Sequence, residues 1–409
     1  SKGDDTRPRS EVEPYEQIDP LNLFLGSPAA TNAPWILAIR GQVQRAIERA
    51  EQAPAAFLPA QVPAPAPSAW LPARLPEKMR MVNALNATFS ELMEQFGTIQ
   101  LLGEDILSPY GGAFKVSKGL SDLFPERVRN TPISEAAIVG IGTGLSLAGY
   151  RPLVEIMFGD FVGLAFDQIV NHAAKFQQMY NQQITPNVIV RTPMGGGRGY
   201  GPTHSQTLDH HFLGVPGLRV LALNTFTDPG QLYRPLLAAE TGPTLVIENK
   251  LMYGAYLLAS PPPGFRLLHS SDPFPTAWIR PDAAQTDVTL LGYGGVADLL
   301  LQASQVLFDE HDIVAQIVCV MQLYPFTVDT ISEPVAAAPR LLIVEEGQGF
   351  SGFGAEVVSQ LAERGSLDGL TVRRLHPAAH CIPSSGPLEK EMLPSVQGIV
   401  RAVLDMSQV

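Results

Sequence analysis

The chain has 409 residues, 45% of them hydrophobic, and a formal net charge of -12. That length exceeds one ordinary hydrophobic core and predicts two folded domains with appendages. The acidic balance, with no basic block, argues against a nucleic-acid partner, and no apolar run of membrane-spanning length predicts a membrane one.

The first segment, residues 1–58, reads as an appendage. Residues 1–33 are polar and punctuated by proline; Pro34 to Gln52 then predicts an amphipathic helix with Ile36, Ile39, Val43 and Ile47 along one face. Such a stripe has to be covered, and the chain's own body is one candidate. Ser1 to Glu16 lacks the pattern of a secretory leader, and Cys319 and Cys381 are too few for a disulfide framework. A cytoplasmic protein with reduced thiols is the expectation.

Residues 59–78 read as a Pro/Ala linker, because Pro63, Pro65, Pro67, Pro72 and Pro76 remove backbone donors and favour an extended spacer. A first α/β domain is expected over 79–265. Val82, Leu85, Phe89, Leu92 and Phe96 recur at helical spacing and predict its first core helix. Thr131-Pro132-Ile133-Ser134-Glu135 then opens the small-residue run Ala136 to Gly149, which predicts a helix that another backbone approaches closely. Glu135 would stand at its start, where a carboxylate also suits the helix dipole. The apolar run Leu153 to Phe158 predicts a buried strand, with Phe161 and Asp167 beyond its carboxyl end, where an α/β sheet keeps its ligands.

Val188-Ile189-Val190, Val220-Leu221-Ala222 and Leu245-Val246-Ile247 predict further strands of one parallel sheet. Between them, the glycine-rich loop Met194 to His204 lets the backbone approach a ligand or move as a gate; it lacks the phosphate-loop lysine. A second connection is expected over 266–280 and a second α/β unit over 281–409. Its strands are expected at Val288 to Leu291, Ile317 to Val320, Leu341 to Glu345 and Val372 to Leu375. His376, His380 and Cys381 have metal-ligating side chains but no second ligand pair, so no metal site is expected.

From about Met79 onward the chain resembles a known family. The residues that carry the resemblance are Leu102-Gly103-Glu104-Asp105, Gly112 to Leu120, Thr131 to Glu135, Asp167-Gln168-Ile169, His204-Ser205-Gln206, Pro216-Gly217-Leu218 and Glu248 to Gly254. In this order they are similar to the beta subunit of the thiamine diphosphate-dependent first component of 2-oxo acid dehydrogenase complexes, of the pyruvate and branched-chain type, within the transketolase superfamily. The resemblance implies two parallel-sheet α/β domains: a transketolase-like pyrimidine-binding domain and a transketolase C-terminal domain that supports dimerisation. In the appendage, Ile18-Asp19-Pro20 and Ala46 to Ala50 resemble the tail of the family's alpha subunit.

The resemblance also implies roles. Glu135 would shuttle the proton at N1′ of the cofactor's aminopyrimidine, Phe161 would stack on that ring, and Met157 would pack where the cofactor bends. His204 would assist proton transfer at the mouth during acylation of the lipoyl group. Where many members carry glutamine three residues after the stacking aromatic, this chain has Leu164.

The superfamily's magnesium-binding Gly-Asp-Gly, followed by Asn-Asn, does not occur in this sequence. The resemblance therefore implies an alpha-type partner that holds the diphosphate and magnesium, in an α2β2 assembly with thiamine diphosphate shared at each interface. The expected activity is decarboxylation of a 2-oxo acid with transfer of the acyl unit to a lipoyl carrier. Gly201-Pro202-Thr203-His204 also resembles transketolases, which leaves open transfer of a two-carbon ketol unit from a sugar phosphate to a lipoyl or acyl-carrier domain. A noncatalytic scaffold subunit is the third reading.

Overall fold

The computed structural model describes residues 7–31, 33–54, 68–74, 78–239, 241–283 and 285–407. The chain divides into two compact units, Ser1–Pro63 and Ala64–Val409.

The first unit is helical. Arg9–Ile18 is followed by Pro20–Leu25, whose start is capped by the Asp19 side chain accepting from the backbone N–H of Leu21 and Asn22. The helix expected from the apolar stripe spans Pro34–Gln52, with proline in its first turn, where no N–H partner is needed. Trp35 at its start stacks on Phe24, with ring centroids 6.0 Å apart. Ile39, Val43 and Ile47 are exposed.

The second unit carries two seven-stranded sheets. The first runs, in spatial order, Gln322–Tyr324, Arg219–Ala222, Thr244–Asn249, Ile189–Met194, Arg151–Glu155, Ile99–Gly103 and Val128–Asn130. Six of these strands are mutually parallel, and only the Gln322–Tyr324 edge runs antiparallel. Strands covered on both faces need near-continuous apolar runs, which is why Val188–Val190 and Leu245–Ile247 were legible. The helix Met81–Gln95 packs Leu85, Phe89 and Leu92 into this layer. Each such side chain contributes about 1.5–3 kcal/mol by leaving water.

The second sheet runs Trp70–Pro72, Phe265–Ser270, Ala277–Pro281, Ala315–Val320, Val288–Tyr293, Arg340–Val344 and Thr371–Leu375. Its last four strands are parallel and its first three pairings antiparallel, so it is a mixed sheet. Two expectations are corrected here. Residues 266–280, expected as a connection, are folded as two antiparallel strands in which Leu267, Trp278 and Ile279 are buried. Within the linker, Trp70–Pro72 is also a strand, held by the edge-to-face contact of Trp70 with Trp278 at 5.0 Å. Pro72 is tolerated there because the strand lies at the sheet edge. Pro63, Pro65, Pro67 and Pro76 lie outside the described residues. The two sheets thus exchange edge strands, since a segment preceding the first domain completes the second sheet and a segment of the second completes the first.

The small-residue helix spans Glu135–Leu147. Gly142 faces its own sheet, where an added Cβ would come within 2.6 Å of Val154; at Gly144 the space is open. The close approach read from the sequence is thus made in part within the chain.

Candidate active site

Three neighbouring strand ends of the first sheet each deliver a carboxylate. Glu104 follows Ile99–Gly103, Glu155 ends Arg151–Glu155, and Glu135 starts the helix after Val128–Asn130. This is the carboxyl edge of a parallel sheet, where open α/β folds bind ligands. Glu135 and Glu104 are both buried, and one oxygen of Glu104 has no hydrogen-bond partner among the described residues. Burial pushes the Glu104 carboxyl above its ordinary range, and the negative charge of Glu135 pushes it further. The N-cap Ser134 makes no side-chain cap to the Glu135 helix, which leaves its first backbone N–H groups without a side-chain acceptor from that residue.

Glu155 belongs to a buried network centred on Arg191. The Arg191 guanidinium donates to Glu155 and to both oxygens of Glu248, and Tyr233 and Tyr253 donate to Glu248 as well. Burial alone would lower the Arg191 pKa; Glu248, Tyr253 and Glu155 hold it well above its ordinary value. Replacing Arg191 with methionine should destabilise the fold by about 3–5 kcal/mol, because two buried carboxylates lose their cation. Burial already raises Glu155, so in the variant protons stabilise the folded state and the stability deficit should deepen as pH rises. Urea unfolding at pH 5 and pH 8 measures this, and a deficit that shrinks toward pH 8 would contradict it.

Next to the carboxylates is an aromatic cluster. Phe158 is its centre, with ring centroids 5.1 Å from His204, 5.6 Å from Phe114, and 6.0 Å from both Phe161 and Tyr200. Phe161 and His204 meet at 5.1 Å and 79°. All these pairs are edge-to-face, the arrangement the ring quadrupoles favour. The turn Gly159–Ala165 that carries Phe161 packs on the Glu135–Leu147 helix. Asp160 in this turn accepts from the backbone and side-chain nitrogens of Gln206, which ties Phe161 to the segment that carries His204.

Of the four residues read from the sequence, the structure therefore joins Phe161 and His204 directly, and Glu135 starts the helix on which the Phe161 turn packs. Met157 is half-buried one residue before Phe158 and enters none of these ring contacts. From the sequence, Glu104, Phe114 and Glu248 stand within motifs and Phe158 ends an expected strand, all without a role, and Arg191 is not singled out. A charged residue directly after Val188-Ile189-Val190 was the available signal for Arg191, since a charge in a buried strand requires a partner.

Lys250 is a further basic group at the cluster. It is buried, donates to the Gly195 carbonyl at 2.7 Å and lies 5.7 Å from the Phe158 ring centroid. Burial lowers its pKa to about 8 against the opposing pull of Asp160 and Glu346. Away from the site, His376 bonds to the Pro377 carbonyl, Cys381 is exposed, and the His210 and His211 rings lie 4.1 Å apart.

Two α/β domains of this topology, with a buried carboxylate at a helix start on the carboxyl edge of the first sheet, define the transketolase class of fold. Residues 77–255 match the family described as the transketolase pyrimidine-binding domain, and residues 279–399 match the transketolase C-terminal domain. A solved split-gene transketolase, described as an inactive beta4 tetramer, shares this fold with a TM-score of 0.60 at 20% identity, covering 80% of this chain and 98% of that one.

Curated relatives are closer in sequence. Pyruvate dehydrogenase E1 component subunit beta-1, mitochondrial, of Oryza sativa subsp. japonica is 34% identical over 329 residues, 80% of this chain and 86% of the relative. The beta subunit of acetoin:2,6-dichlorophenolindophenol oxidoreductase of Cupriavidus necator is 32% identical over 337 residues, 80% of this chain and 96% of the relative. The 3-methyl-2-oxobutanoate dehydrogenase subunit beta of Mycobacterium tuberculosis is 31% identical over 291 residues, 70% of this chain and 80% of the relative. The chain belongs to the family of beta subunits of the first, E1, component of 2-oxo acid dehydrogenases.

Proposed function

We propose that this chain is the beta subunit of a thiamine diphosphate-dependent 2-oxo acid dehydrogenase, working with an alpha-type subunit and passing an acyl unit to a lipoyl carrier. The observation that carries this reading is the buried Glu135 at the start of the helix on which the Phe161 turn packs, with the Phe158, Phe161 and His204 rings in mutual contact. Thiamine diphosphate, when bound, supplies a nucleophilic thiazolium carbon that adds to the substrate carbonyl and accepts the electron pair released with carbon dioxide. The residues present suit its aminopyrimidine end. Glu135 would exchange a proton at N1′, Phe161 would present an aromatic face, and Met157 would fill apolar space beside it. The unpartnered oxygen of Glu104 supplies a second buried acid next to Glu135.

The diphosphate and magnesium are assigned to the alpha-type partner in an α2β2 assembly, since this sequence has no Gly-Asp-Gly motif. Exposed apolar residues on the Glu135 helix, just before it and on the turn packed on it support a partner surface: Ile133 is 84% exposed, Leu164 62% and Ile141 51%. The test is to incubate the reconstituted pair with pyruvate, branched 2-oxo acids and ketose phosphates, and to follow acylation of a lipoyl domain. Acylation from a 2-oxo acid supports the proposal. Transfer only from a ketose phosphate would replace it with ketol transfer, and no transfer from any donor would favour a scaffold.

His204 provides a separate check. Its ring lies against Phe158 and Phe161 and its Nδ1 is 3.0 Å from the Thr203 hydroxyl, at the open end of the cluster. His204→Ala should lower acyl transfer to the carrier by about 10²-fold or more, the usual scale of a lost proton carrier, while sparing turnover with an artificial electron acceptor. Equal losses in both assays would count against the assignment.

A further inference from the structure

The loop Met194 to His204 alternates glycines at positive φ, with Gly195 at +96°, Gly197 at +86°, Gly199 at +72° and Gly201 at +76°. Alternation of this kind turns successive N–H groups toward one side and builds a concavity that attracts anions. Here protein carboxylates fill it. Glu389, 1% exposed on the Gly386–Met392 helix of the C-terminal domain, accepts from Gly197 N–H with one oxygen and from Gly199 N–H with the other, each at 2.8 Å. Glu346 accepts from Gly196 N–H at 2.7 Å and from the Asn249 amide at 2.6 Å. Two cations offset this charge: Lys250 lies in the field of Glu346 and Glu389, and Arg198 donates to the Lys250 carbonyl at 3.1 Å.

We propose that Glu389 is a positioning residue through which the C-terminal domain fixes the active-site mouth. The reading of the loop as a moving gate is replaced by a loop pinned at three backbone amides. The pinned segment carries Arg198, whose guanidinium lies 5.3 Å over Phe114, then Tyr200 on Phe158, then His204. Neutral or absent acceptors at 389 cannot hold both amides: glutamine keeps one carbonyl oxygen and turns an NH2 group against the second N–H. Hydrogen bonds to a carboxylate are among the stronger ones available, so their loss should be measurable locally. The effect on His204 rests on the function proposed above; the clamp itself does not.

The test has two arms. In the first, the purified full chain is treated with trypsin and cleavage at Arg198–Gly199 is followed by mass spectrometry. Glu389→Gln should be cut about tenfold faster than wild type or more, on the scale of a lost charge-assisted hydrogen bond. The exposed Glu391→Gln on the same helix should match wild type. Glu346→Ala, which removes the acceptor of both the Gly196 N–H and the Asn249 amide, is the second variant should Glu389→Gln fold poorly. Unchanged cleavage in both loop variants overturns the clamp. In the second arm, the reconstituted complex is assayed with a lipoyl carrier and with an artificial acceptor. Glu389→Gln should lower carrier acylation about tenfold and leave acceptor turnover within twofold. Faster cleavage with both assays unchanged, or both equally reduced, overturns the positioning role. A wild-type complex inactive with every donor would remove the functional reading, while the trypsin arm would still decide the clamp.

Discussion

Glu135→Gln should leave the fold and assembly intact and slow proton exchange at the thiazolium carbon of bound thiamine diphosphate by about 10²–10⁴-fold. The amide matches the carboxyl in shape and can hydrogen-bond, but it cannot carry a proton to and from N1′. Stability cannot account for a loss of that size, because removing one negative charge from a helix N-terminus costs only about 0.3–1 kcal/mol. The variant also has a pH signature. Burial and then Glu135 raise Glu104 above its ordinary range, so folded stability from this group falls as pH rises through that raised pKa. With the Glu135 charge gone, Glu104 moves back toward its ordinary value, and the variant should lose less stability than wild type between pH 4 and pH 7. Exchange at near the wild-type rate in the assembled variant would remove Glu135 from its role.

The parts of this fold that the sequence made legible are those where one physical signal dominates. Val188–Val190 and Leu245–Ile247 are uninterrupted apolar runs, and a parallel strand covered on both faces demands them. The Pro34–Gln52 helix was readable from its periodicity and its leading proline, and the Glu135 helix start from the carboxylate that follows Pro132 and opens a run of small residues. The edge strands were not. Trp70–Pro72 has the features of an extended spacer, and its antiparallel pairing with Leu268 to Ser270 and its contact with Trp278, some two hundred residues away in the chain, make it part of a sheet. Phe265–Ser270 follows a proline cluster, and its pairing with Ala277–Pro281 depends on tertiary burial of Leu267 and Ile279. In the site, Glu135, Phe161 and His204 were found through motif resemblance. Arg191 and Glu389 act on groups far away in sequence, Arg191 on Glu248 and Glu389 on Gly197 and Gly199. The charge after Val188–Val190 signals that Arg191 needs a partner, but local pattern does not say which residue supplies it.

On the proposed function, this chain is the aminopyrimidine half of a shared site. Its candidate contacts, Glu135, Met157 and Phe161, would serve the uncharged end of the cofactor, while the diphosphate and its magnesium carry the charge that has to be neutralised by oxygen ligands and N–H donors. Ile133, Ile141 and Leu164 are exposed apolar residues on the Glu135 helix, just before it and on the turn that packs on it, as a surface for a second subunit would be. The purified chain should therefore bind thiamine diphosphate at least about a hundredfold more weakly than the reconstituted pair, a difference of roughly 2.7 kcal/mol. Titration calorimetry of thiamine diphosphate into the chain alone and into the pair, each with and without magnesium, measures this directly. The account predicts weak, magnesium-independent binding by the chain and tight, magnesium-dependent binding once an alpha-type subunit with the Gly-Asp-Gly motif is added; tight, magnesium-dependent binding by the chain alone would contradict it.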